Sequence, residues 1–424
     1  MAGEAVNPAA PGTRYAWYVV GMLWSISFFN YADRQAIFSV FPLLEREMHL
    51  TPVELGLLGS SFAMVYGLMG PFAGYVVDRV KRKTAVLVGL EIWSVICSST
   101  AISRSFGQLL FFRAAEGLGE TIYYPASMSM ISDYHRAGTR SRAMGFHQTS
   151  VYIGTIAGGF FAGKIAQDHG WRWSFVVFGG LGIALGVVLN KFLREPRRGA
   201  ADTGGVVTAA SVKEFIAILK GTPTIAVLMA AFVCSNFVAA VLLSWMPKFV
   251  HDRFHMDLAM SGLTATIFVQ LASMVGCPLG GWMADALRRR TLRGRMAVQA
   301  AGVFCGAPFV VLCGLAPSTA ALMFALTAWG FFKGLYDANI WASLFDVVQP
   351  AARGTAAGLM NAVGWLGGGG SAPLVIGMIA ERASLGTAIA LTSVVYIVSG
   401  ILLLTGIVFF VNRDAARVGG EVQV

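Results

Sequence analysis

The sequence predicts an all-α membrane protein with twelve transmembrane helices in two pseudo-symmetric halves of six helices each. Of its 424 residues, 56% are hydrophobic and only 13% are charged, which leaves too few polar groups to cover a soluble domain of this length. About twelve apolar stretches are long enough to cross a bilayer, since a helical crossing needs about 20 residues. A polar segment from Arg194 to Thr222 separates the first six stretches from the last six.

We therefore expect five regions along the chain. They are a tail at 1–15, a six-helix bundle at 16–193, a linker at 194–222, a second six-helix bundle at 223–412 and a tail at 413–424. The first apolar stretch is too long for a signal-peptide core and has no cleavage site before the next helix, so we expect it to remain in the protein.

The distribution of basic residues predicts that both termini are cytoplasmic. With this orientation, 22 of the 32 Lys and Arg residues lie in cytoplasmic segments and seven lie in outside loops, as the positive-inside rule requires. The net charge of +10 therefore reflects membrane topology and not nucleic-acid binding, and membrane lipids with anionic headgroups are the expected partners. Short loops and termini are typical of a protein of the bacterial inner membrane, and such bundles commonly work as monomers.

Two charged loop motifs occur once in each half. They are Gly74, Asp78 and Arg79 with Gly281 and Asp285, and Asp133 and Arg140 with Asp346 and Arg353. Such repeats are typical of transporters, whose binding site lies between the repeats near the membrane midplane. We predict that the charged members of both motifs, together with Gly74 and Arg82, form a gate that holds one conformation closed. Charge that only sets topology would explain the bases but not Gly74 and Asp78.

The first apolar stretch contains the segment Asn30-Tyr31-Ala32-Asp33-Arg34. Charges at this depth cost on the order of 3 kcal/mol each even on the lenient insertion scale. They usually face a protein interior or a watery cavity and mark a path for ions or solutes. The alternative is a buried ion pair that only joins helices, but such a pair does not need this many polar side chains.

The fourth stretch carries a base and two acids at helical spacing. Arg113 lies about 10 Å from the outside end of its helix at 1.5 Å per residue, a depth similar to that of Asp33, so we predict an Asp33–Arg113 ion pair. Glu120 lies two turns from Arg113 on the same face and is the candidate proton acceptor, because proton-coupling sites place a carboxyl in buried surroundings beside a like charge. Glu116 either supplies that like charge or neutralises Arg113 at i+3, which we favour.

The tenth stretch carries Lys333 and Asp337 one turn apart. Either the two neutralise each other, or Lys333 receives an anionic substrate. Trp341 and Asn361 are candidate lining residues of a polar cavity, although single polar side chains in helix bundles often only join helices. Glu91, in the third stretch, has no predicted role.

An enzyme is not predicted. The apolar stretches contain no nucleophile–base pair and no residues with metal-ligand spacing, and no cofactor is expected. The five cysteines are scattered through these stretches, which argues against a disulfide framework or a zinc site.

Four segments carry a resemblance to a known family. The loop from Gly74 to Lys83 resembles the loop 2–3 signature of the major facilitator superfamily, with Lys81 where a glycine is common, and Arg113-x-x-x-Gly117-x-Gly119-Glu120 resembles its fourth-span signature. Together with Asn30-Tyr31-x-Asp33-Arg34 and Arg353-Gly354-x-Ala356-x-Gly358-x-x-Asn361, they make nearly the whole chain resemble the anion:cation symporter family, whose bacterial members take up sugar acids with protons. The first-span and fourth-span elements also resemble the spinster-type lipid transporters.

The resemblance implies a role for individual residues. Asp33 and Glu120 would be the proton-linked acids, Arg113 the partner of Asp33, and Arg34 a contact for the substrate carboxylate. The lining residues that it implies are Tyr31, Tyr66 and Asn361. Trp365 stands where many sugar-acid carriers have a second asparagine, a departure that disfavours a hydroxyl-rich substrate. The expected function is proton-coupled symport of a small organic anion, and the alternative is transport of lysolipids or other amphiphiles.

Overall fold

The computed structural model describes residues 13–77, 79–196, 219–349 and 352–420, and every element assigned in these ranges is helical. Before the linker lie α1 (Thr13–Ser39), α2 (Phe41–Met48), α3 (Pro52–Val77), α4 (Arg82–Thr100), α5 (Phe106–Thr121), α6 (Tyr123–Tyr134), α7 (Ala137–His169) and α8 (Trp171–Phe192). After it lie α9 (Pro223–Phe254), α10 (Leu258–Arg288), α11 (Gly294–Leu315), α12 (Thr319–Asp337), α13 (Ile340–Phe345), α14 (Arg353–Val363), a π-helical turn (Gly364–Gly369), α15 (Ala372–Ala380), α16 (Leu385–Thr405), a second π-helical turn (Gly406–Phe410) and α17 (Val411–Gly420). The predicted all-α class is confirmed.

Seven helical segments are long and apolar enough to cross a membrane. They are Pro52–Val77, Trp171–Phe192, Pro223–Phe254, Leu258–Arg288, Gly294–Leu315, Arg353–Ala380 and Leu385–Val418. The other five predicted spans correspond to α1, α4, α5 with α6, α7, and α12 with α13. The count of twelve stays a prediction.

The chain turns by the same device in both parts of the sequence. α2 and α9 each end at a histidine in the left-handed region, His49 and His255, both with φ 54°. Two residues later, the side chains of Thr51 and Asp257 cap the next helix by accepting a hydrogen bond from the amide three positions on, at 3.2 and 2.8 Å. A capping oxygen satisfies a backbone donor that has no partner within the helix. We call the end of the bundle that carries these turns the α2 end, and the opposite end, with the loop between α3 and α4, the basic end.

The predicted gate arginines repeat their contacts at the basic end. Arg140 donates to the carbonyl oxygens of Ser132 and His135, both at 3.1 Å. In the second part of the chain, Arg353 donates to the carbonyl oxygens of Phe345 and Val348, at 3.2 and 3.3 Å. Each contact is repeated at the offset of 213 residues that separates the two motifs in the sequence. The recurrence is therefore structural as well as sequential.

The predicted gate acids also form corresponding ion pairs. Asp133 pairs with Arg82, and Asp346 pairs with Arg288 (3.2 Å) and Arg295 (2.6 Å). Asp285 pairs with Arg295 at 3.1 Å. The two members of each pair belong to the same part of the chain, either before or after the linker. None of these pairs therefore joins the first part of the bundle to the second at the basic end.

Two charged residues of the predicted gate, Asp78 and Arg79, have no ion pair that can be described. Arg79 lies against the ring of Tyr75, with its guanidinium carbon 3.4 Å from the ring centre. Asp78 lies outside the described residues.

Helices from the two parts of the chain touch at the α2 end. A methyl group added to Gly56 on α3 would lie 2.4 Å from the carbonyl oxygen of Pro373, and one added to Gly377 would lie 2.3 Å from that of Pro52. Neither distance leaves room for a side chain, so backbones are in direct contact. Gly159 of α7 and Gly262 of α10 approach each other in the same way, at 2.7 and 2.0 Å.

Four glycines near the basic end make no such close contacts. On α3, a methyl group added to Gly70 or Gly74 would meet no atom within 4 Å, and the same holds for Gly354 and Gly358 on α14. The bundle is therefore closed at the α2 end and open at the basic end.

A buried lysine joins the two parts of the chain at the α2 end. Lys248 of α9, whose side chain is largely buried, pairs with Glu45 of α2 and with Asp252 (2.6 Å). Gln35 of α1 also reaches α9, where its amide donates to the carbonyl oxygen of Leu243 at 3.0 Å. Opening of this end would have to break both contacts.

Replacement of Gly56 by alanine is expected to destabilise this conformation by about 1–3 kcal/mol, because the new methyl group overlaps the Pro373 carbonyl and the helices must separate. Gly70→Ala on the same helix is the matched control, since it introduces the same methyl group into open space. Thermal unfolding in detergent compares the two variants. Equal melting temperatures would contradict the close helix contact.

Candidate functional site

A cavity of about 340 Å³ lies between the two parts of the bundle. Its walls come from α1, α3, α5 and α7 on one side and from α9, α10, α12, the first π-helical turn and α15 on the other. The polar and aromatic lining residues are Tyr31, Arg34, Gln35, Phe38, Phe62, Arg113, Gln148, Tyr152, Thr155, Asn236, Ser244, Gln270, Lys333, Asp337 and Trp365. The rest of the lining is small and apolar. Two predicted binding residues of α1, Tyr31 and Arg34, lie in this wall.

Arg34 is a buried cation with one ion pair and one unused donor. Its Nε atom pairs with the carboxylate of Glu120 on α5. Its guanidinium carbon lies 4.8 Å from the ring centre of Tyr31, 4.9 Å from that of Phe62 and 4.6 Å from that of Tyr66. Rings at such distances stabilise a cation by their quadrupoles. The Nη1 atom has no hydrogen-bond partner among the described residues.

The predicted Asp33–Arg113 ion pair is not formed. Arg113 pairs with Glu116, one turn along its own helix, which was the alternative that we favoured for Glu116. A partner at i+3 is within reach without any contribution from another helix, whereas Asp33 has to approach from α1. Asp33 is 3% exposed, and its Oδ1 atom has no hydrogen-bond partner in the described part of the chain.

Asp33 lies beside another acid instead of beside a base. One oxygen of Asp33, the Cys97 sulfur and one oxygen of Glu116 all lie within 4.8 Å of one another. We call Asp33, Arg34, Arg113, Glu116 and Glu120 the buried charge cluster. With every member ionised, it holds three negative and two positive charges, and an uncompensated charge away from water is costly.

One proton bound to a carboxyl would therefore neutralise the buried charge cluster. A monovalent cation held by the Asp33 oxygen, the Cys97 sulfur and the Glu116 oxygen would have the same effect on the charge. This arrangement can take up and release a single positive charge next to the guanidinium of Arg34.

The second part of the chain contributes a self-paired lysine. Lys333 pairs with Asp337 one turn away on α12, and both line the cavity. The first of the two alternatives for this pair is thus realised in this conformation.

Three predicted lining residues are not among the residues that line the cavity. Tyr66 packs on the guanidinium of Arg34 and on Trp365. Trp341, which follows the break between α12 and α13, is 39% exposed and packs on Phe232, with ring centres 6.1 Å apart. Asn361 is exposed on α14.

Trp365 is an aromatic lining residue whose position the sequence did not predict. It lies in the first π-helical turn, 5.0 Å from the ring of Tyr66 and 5.8 Å from the guanidinium carbon of Arg34. Gly367–Gly370 follow it, and methyl groups added to Gly367 and Gly368 would meet Val233 at 3.1 and 2.7 Å. The glycine run thus brings this turn against α9 and leaves the indole in the cavity wall.

Gln35 and Tyr152 are further lining residues that sequence reasoning missed. Gln35 directly follows the charged segment of α1, and Tyr152 lies one turn from Gln148 on α7. These spacings are the signal that could have identified them.

A sequence model described as Major Facilitator Superfamily matches residues 23–371 and 254–422. The chain is 27% identical to protein spinster of Drosophila melanogaster over 382 residues, which cover 87% of this chain and 62% of that protein. It is 25% identical to the hexuronate transporter of Bacillus subtilis (strain 168) over 376 residues, which cover 86% of this chain and 88% of the transporter. It is 27% identical to protein spinster homolog 1 of Homo sapiens over 86% of this chain and 73% of that protein.

The fold is similar to crystal structures of a bacterial homologue of the human lysosomal transporter spinster. The structure in an inward-facing and unoccupied conformation gives a TM-score of 0.79 at 22% identity and covers 96% of this chain and 98% of that chain. The inward-facing and occupied conformation gives a TM-score of 0.77 and covers 95% and 97%. At this level of identity, the similarity concerns the fold.

Glu116→Gln is expected to lower the stability of the protein by about 3–5 kcal/mol, because it leaves the Arg113 guanidinium buried without a counter-charge. Asp33→Asn is the matched control, since Asp33 forms no ion pair with a described residue and its loss removes the surplus negative charge. Thermal unfolding in detergent at neutral pH measures both. A larger loss for Asp33→Asn than for Glu116→Gln would contradict the pairing described here.

Proposed function

Because this chain belongs to the Major Facilitator Superfamily, whose members are transporters, we propose that it carries a small organic anion by proton-coupled symport. The carrying observation is the buried charge cluster, in which two arginines of the cavity wall, Arg34 and Arg113, are accompanied by one more carboxyl than they can neutralise. The relation to the hexuronate transporter of Bacillus subtilis supports a carboxylate as the substrate.

Arg34 binds the substrate carboxylate in this proposal. Its Nη1 atom is the unused donor, and the surrounding rings hold the guanidinium plane in place without consuming its hydrogen bonds. Arginine presents parallel N–H groups that match the two oxygens of a carboxylate. Tyr31 and Trp365 contribute the adjoining wall. Lys333 lies across the cavity and would contribute a second positive group only after it leaves Asp337.

Glu120 couples the proton to the anion. As long as its carboxylate is ionised, it occupies the Nε side of Arg34. A proton on Glu120 removes this competitor, and the guanidinium can then bind the substrate with a full positive charge. Asp33 holds the surplus charge of the cluster, so a proton that enters there or at Glu120 compensates the same excess. Arg113 stays with Glu116 and keeps the centre of the cluster from accumulating further negative charge.

Transport then proceeds by alternating access between the two six-helix bundles. With the basic end in the cytoplasm, as the distribution of Lys and Arg predicts, the cavity in this conformation faces the cytoplasm. The Lys248–Glu45 pair and the glycine contacts close the outside. To face outward, the bundles separate at the α2 end and approach at the basic end, where Gly74, Arg79 and the ion pairs of Asp133 and Asp346 would form the contact.

Transport of a lysolipid or another amphiphile is the second candidate function. It is favoured by the relation to the spinster proteins of Drosophila melanogaster and Homo sapiens and by the aromatic wall around Arg34. The cavity of about 340 Å³ is near the lower end of the range for small-molecule sites, which favours the small anion.

Glu120→Gln is expected to abolish proton-driven accumulation of glucuronate in proteoliposomes while preserving exchange of internal for external glucuronate. The neutral side chain cannot release a proton, but Arg34 remains free to bind the anion. Glu381→Gln, an exposed carboxyl at the α2 end, is the control. Intact proton-driven uptake with lost exchange in Glu120→Gln would refute the role of Glu120. Uptake by the wild-type protein that is driven by a sodium gradient alone would show that sodium, and not a proton, is the coupling ion.

Arg34→Lys is expected to raise KM for glucuronate uptake by about 10- to 100-fold, because lysine keeps the charge beside Glu120 but loses the paired donors. Arg104→Lys, at an exposed position, serves as the control. An unchanged KM with a lowered kcat would show that Arg34 acts elsewhere than in binding the anion.

Thermal-shift measurements at two pH values separate the two candidate functions, since a ligand stabilises the folded state that binds it. Glucuronate and short carboxylates are expected to raise Tm, and more so at the lower pH. Stabilisation by lysophosphatidylcholine alone, independent of pH, would favour the amphiphile transporter.

A further inference from the structure

A second, wholly different cavity lies on the outer surface of the first half. It is a groove of about 330 Å³ between α3, α4 and α5. Its lining residues include Phe72, Val80, Thr84, Gly89, Ile96 and Leu118. We call it the outer groove.

The outer groove has almost no hydrogen-bonding capacity. Its only polar side chains are Thr84, at the basic end, and Thr121, whose hydroxyl donates to the carbonyl oxygen of Gly117 at 2.5 Å. The rim is made of large exposed side chains, among them Phe72 and Leu118, which are 61% and 50% exposed. An occupant of this groove must therefore be apolar along its whole length.

The dimensions of the outer groove suit one lipid chain. Small residues form its floor, and α4 and α5 approach closely there because Gly89 faces Gly119. Along α4 the groove runs from Thr84 to Ile96, which is about 18 Å at 1.5 Å per residue. Half of the hydrocarbon core of a bilayer is about 15 Å thick. The groove thus extends from the membrane surface at the basic end through about one leaflet.

Positive charge lies where the outer groove reaches that surface. Arg79 and Lys81 flank the lining residue Val80. The guanidinium of Arg79 is held over Tyr75, to whose carbonyl oxygen it donates at 3.2 Å. Lys81 is exposed and forms no ion pair with a described residue. Both cations are therefore able to receive an anionic group at the mouth of the groove.

We propose that the outer groove is a binding site for an anionic phospholipid, with one acyl chain between α3, α4 and α5 and the phosphate on Arg79 and Lys81. The site does not depend on the transported substrate. It bears on transport because α5 presents Leu118 and Gly119 to the groove and Glu120, the next residue, to the buried charge cluster. A bound chain would restrain the helix that carries the proton-linked carboxyl.

Photo-crosslinking to the full-length protein in phosphatidylcholine vesicles tests this site. The probe is a phosphatidylglycerol whose acyl chain carries a diazirine, and labelled peptides are identified by mass spectrometry. We expect labelling within 84–96 and 115–122. A phosphatidylcholine probe with the same chain is expected to label these segments less, by about fivefold for each base engaged, since a basic residue near an anionic surface contributes about 1 kcal/mol.

Two variants separate the headgroup from the chain. Arg79→Gln with Lys81→Gln should abolish the preference for phosphatidylglycerol, whereas Arg104→Gln with Arg382→Gln, which removes two exposed bases from the α2 end, should preserve it. Phe72→Ala with Leu118→Ala should reduce labelling by both probes, because it removes two large exposed side chains from the rim of the groove. Equal labelling by both probes in the wild type, or labelling of α8 at the same level as the groove, would identify ordinary boundary lipid and overturn the proposal.

Discussion

The ion pair between Arg34 and Glu120 is the interaction on which the rest of the site depends. It joins α1 to α5, and it is surrounded by aromatic rings that exclude water from it. Buried charges of this kind are costly unless each is paired, and here the number of acids exceeds the number of bases by one. With every member ionised, the cluster therefore carries one net negative charge, which one proton neutralises. A fully compensated pair would only have joined two helices.

The two ends of the bundle are held by different kinds of contact. At the basic end, arginines bind carbonyl oxygens and carboxylates of their own half, as the repeated contacts of Arg140 and Arg353 demonstrate. These contacts keep each half rigid whether or not the halves are together. At the α2 end, glycine backbones and the Lys248–Glu45 pair join the halves directly. Close backbone contact is specific but weak in a membrane, where lipid is as apolar as the helices, so such an interface can separate and re-form.

The sequence was sufficient to predict the helical class, the internal repeat and the wall that Tyr31 and Arg34 form. Charged residues in apolar stretches and motifs at a constant offset carry this information directly.

The partners of the arginines were not predictable to the same extent. Depth along a helix places Asp33 level with Arg113, but it does not specify which side chain of α5 the carboxylate meets, and Asp33 lies beside Glu116 without an ion pair to Arg113. The i+3 spacing of Arg113 and Glu116, in contrast, is local and was read correctly as the favoured pairing. Trp341 and Asn361 were misplaced because the helix break after α12 and the packing of α13 and α14 depend on the whole bundle. Trp365 enters the cavity wall through a π-helical turn, which the glycine run permits but does not specify.

The central claim is that anion binding at Arg34 and protonation of the buried charge cluster are one coupled event. The most direct measurement is the proton uptake of purified protein in weakly buffered detergent when glucuronate is added. The account predicts uptake of about one proton per anion bound, as the surplus of one carboxyl over the bases requires, and no uptake in the Glu120→Gln variant, which still binds the anion. Stoichiometric anion binding by the wild-type protein without proton uptake would contradict it.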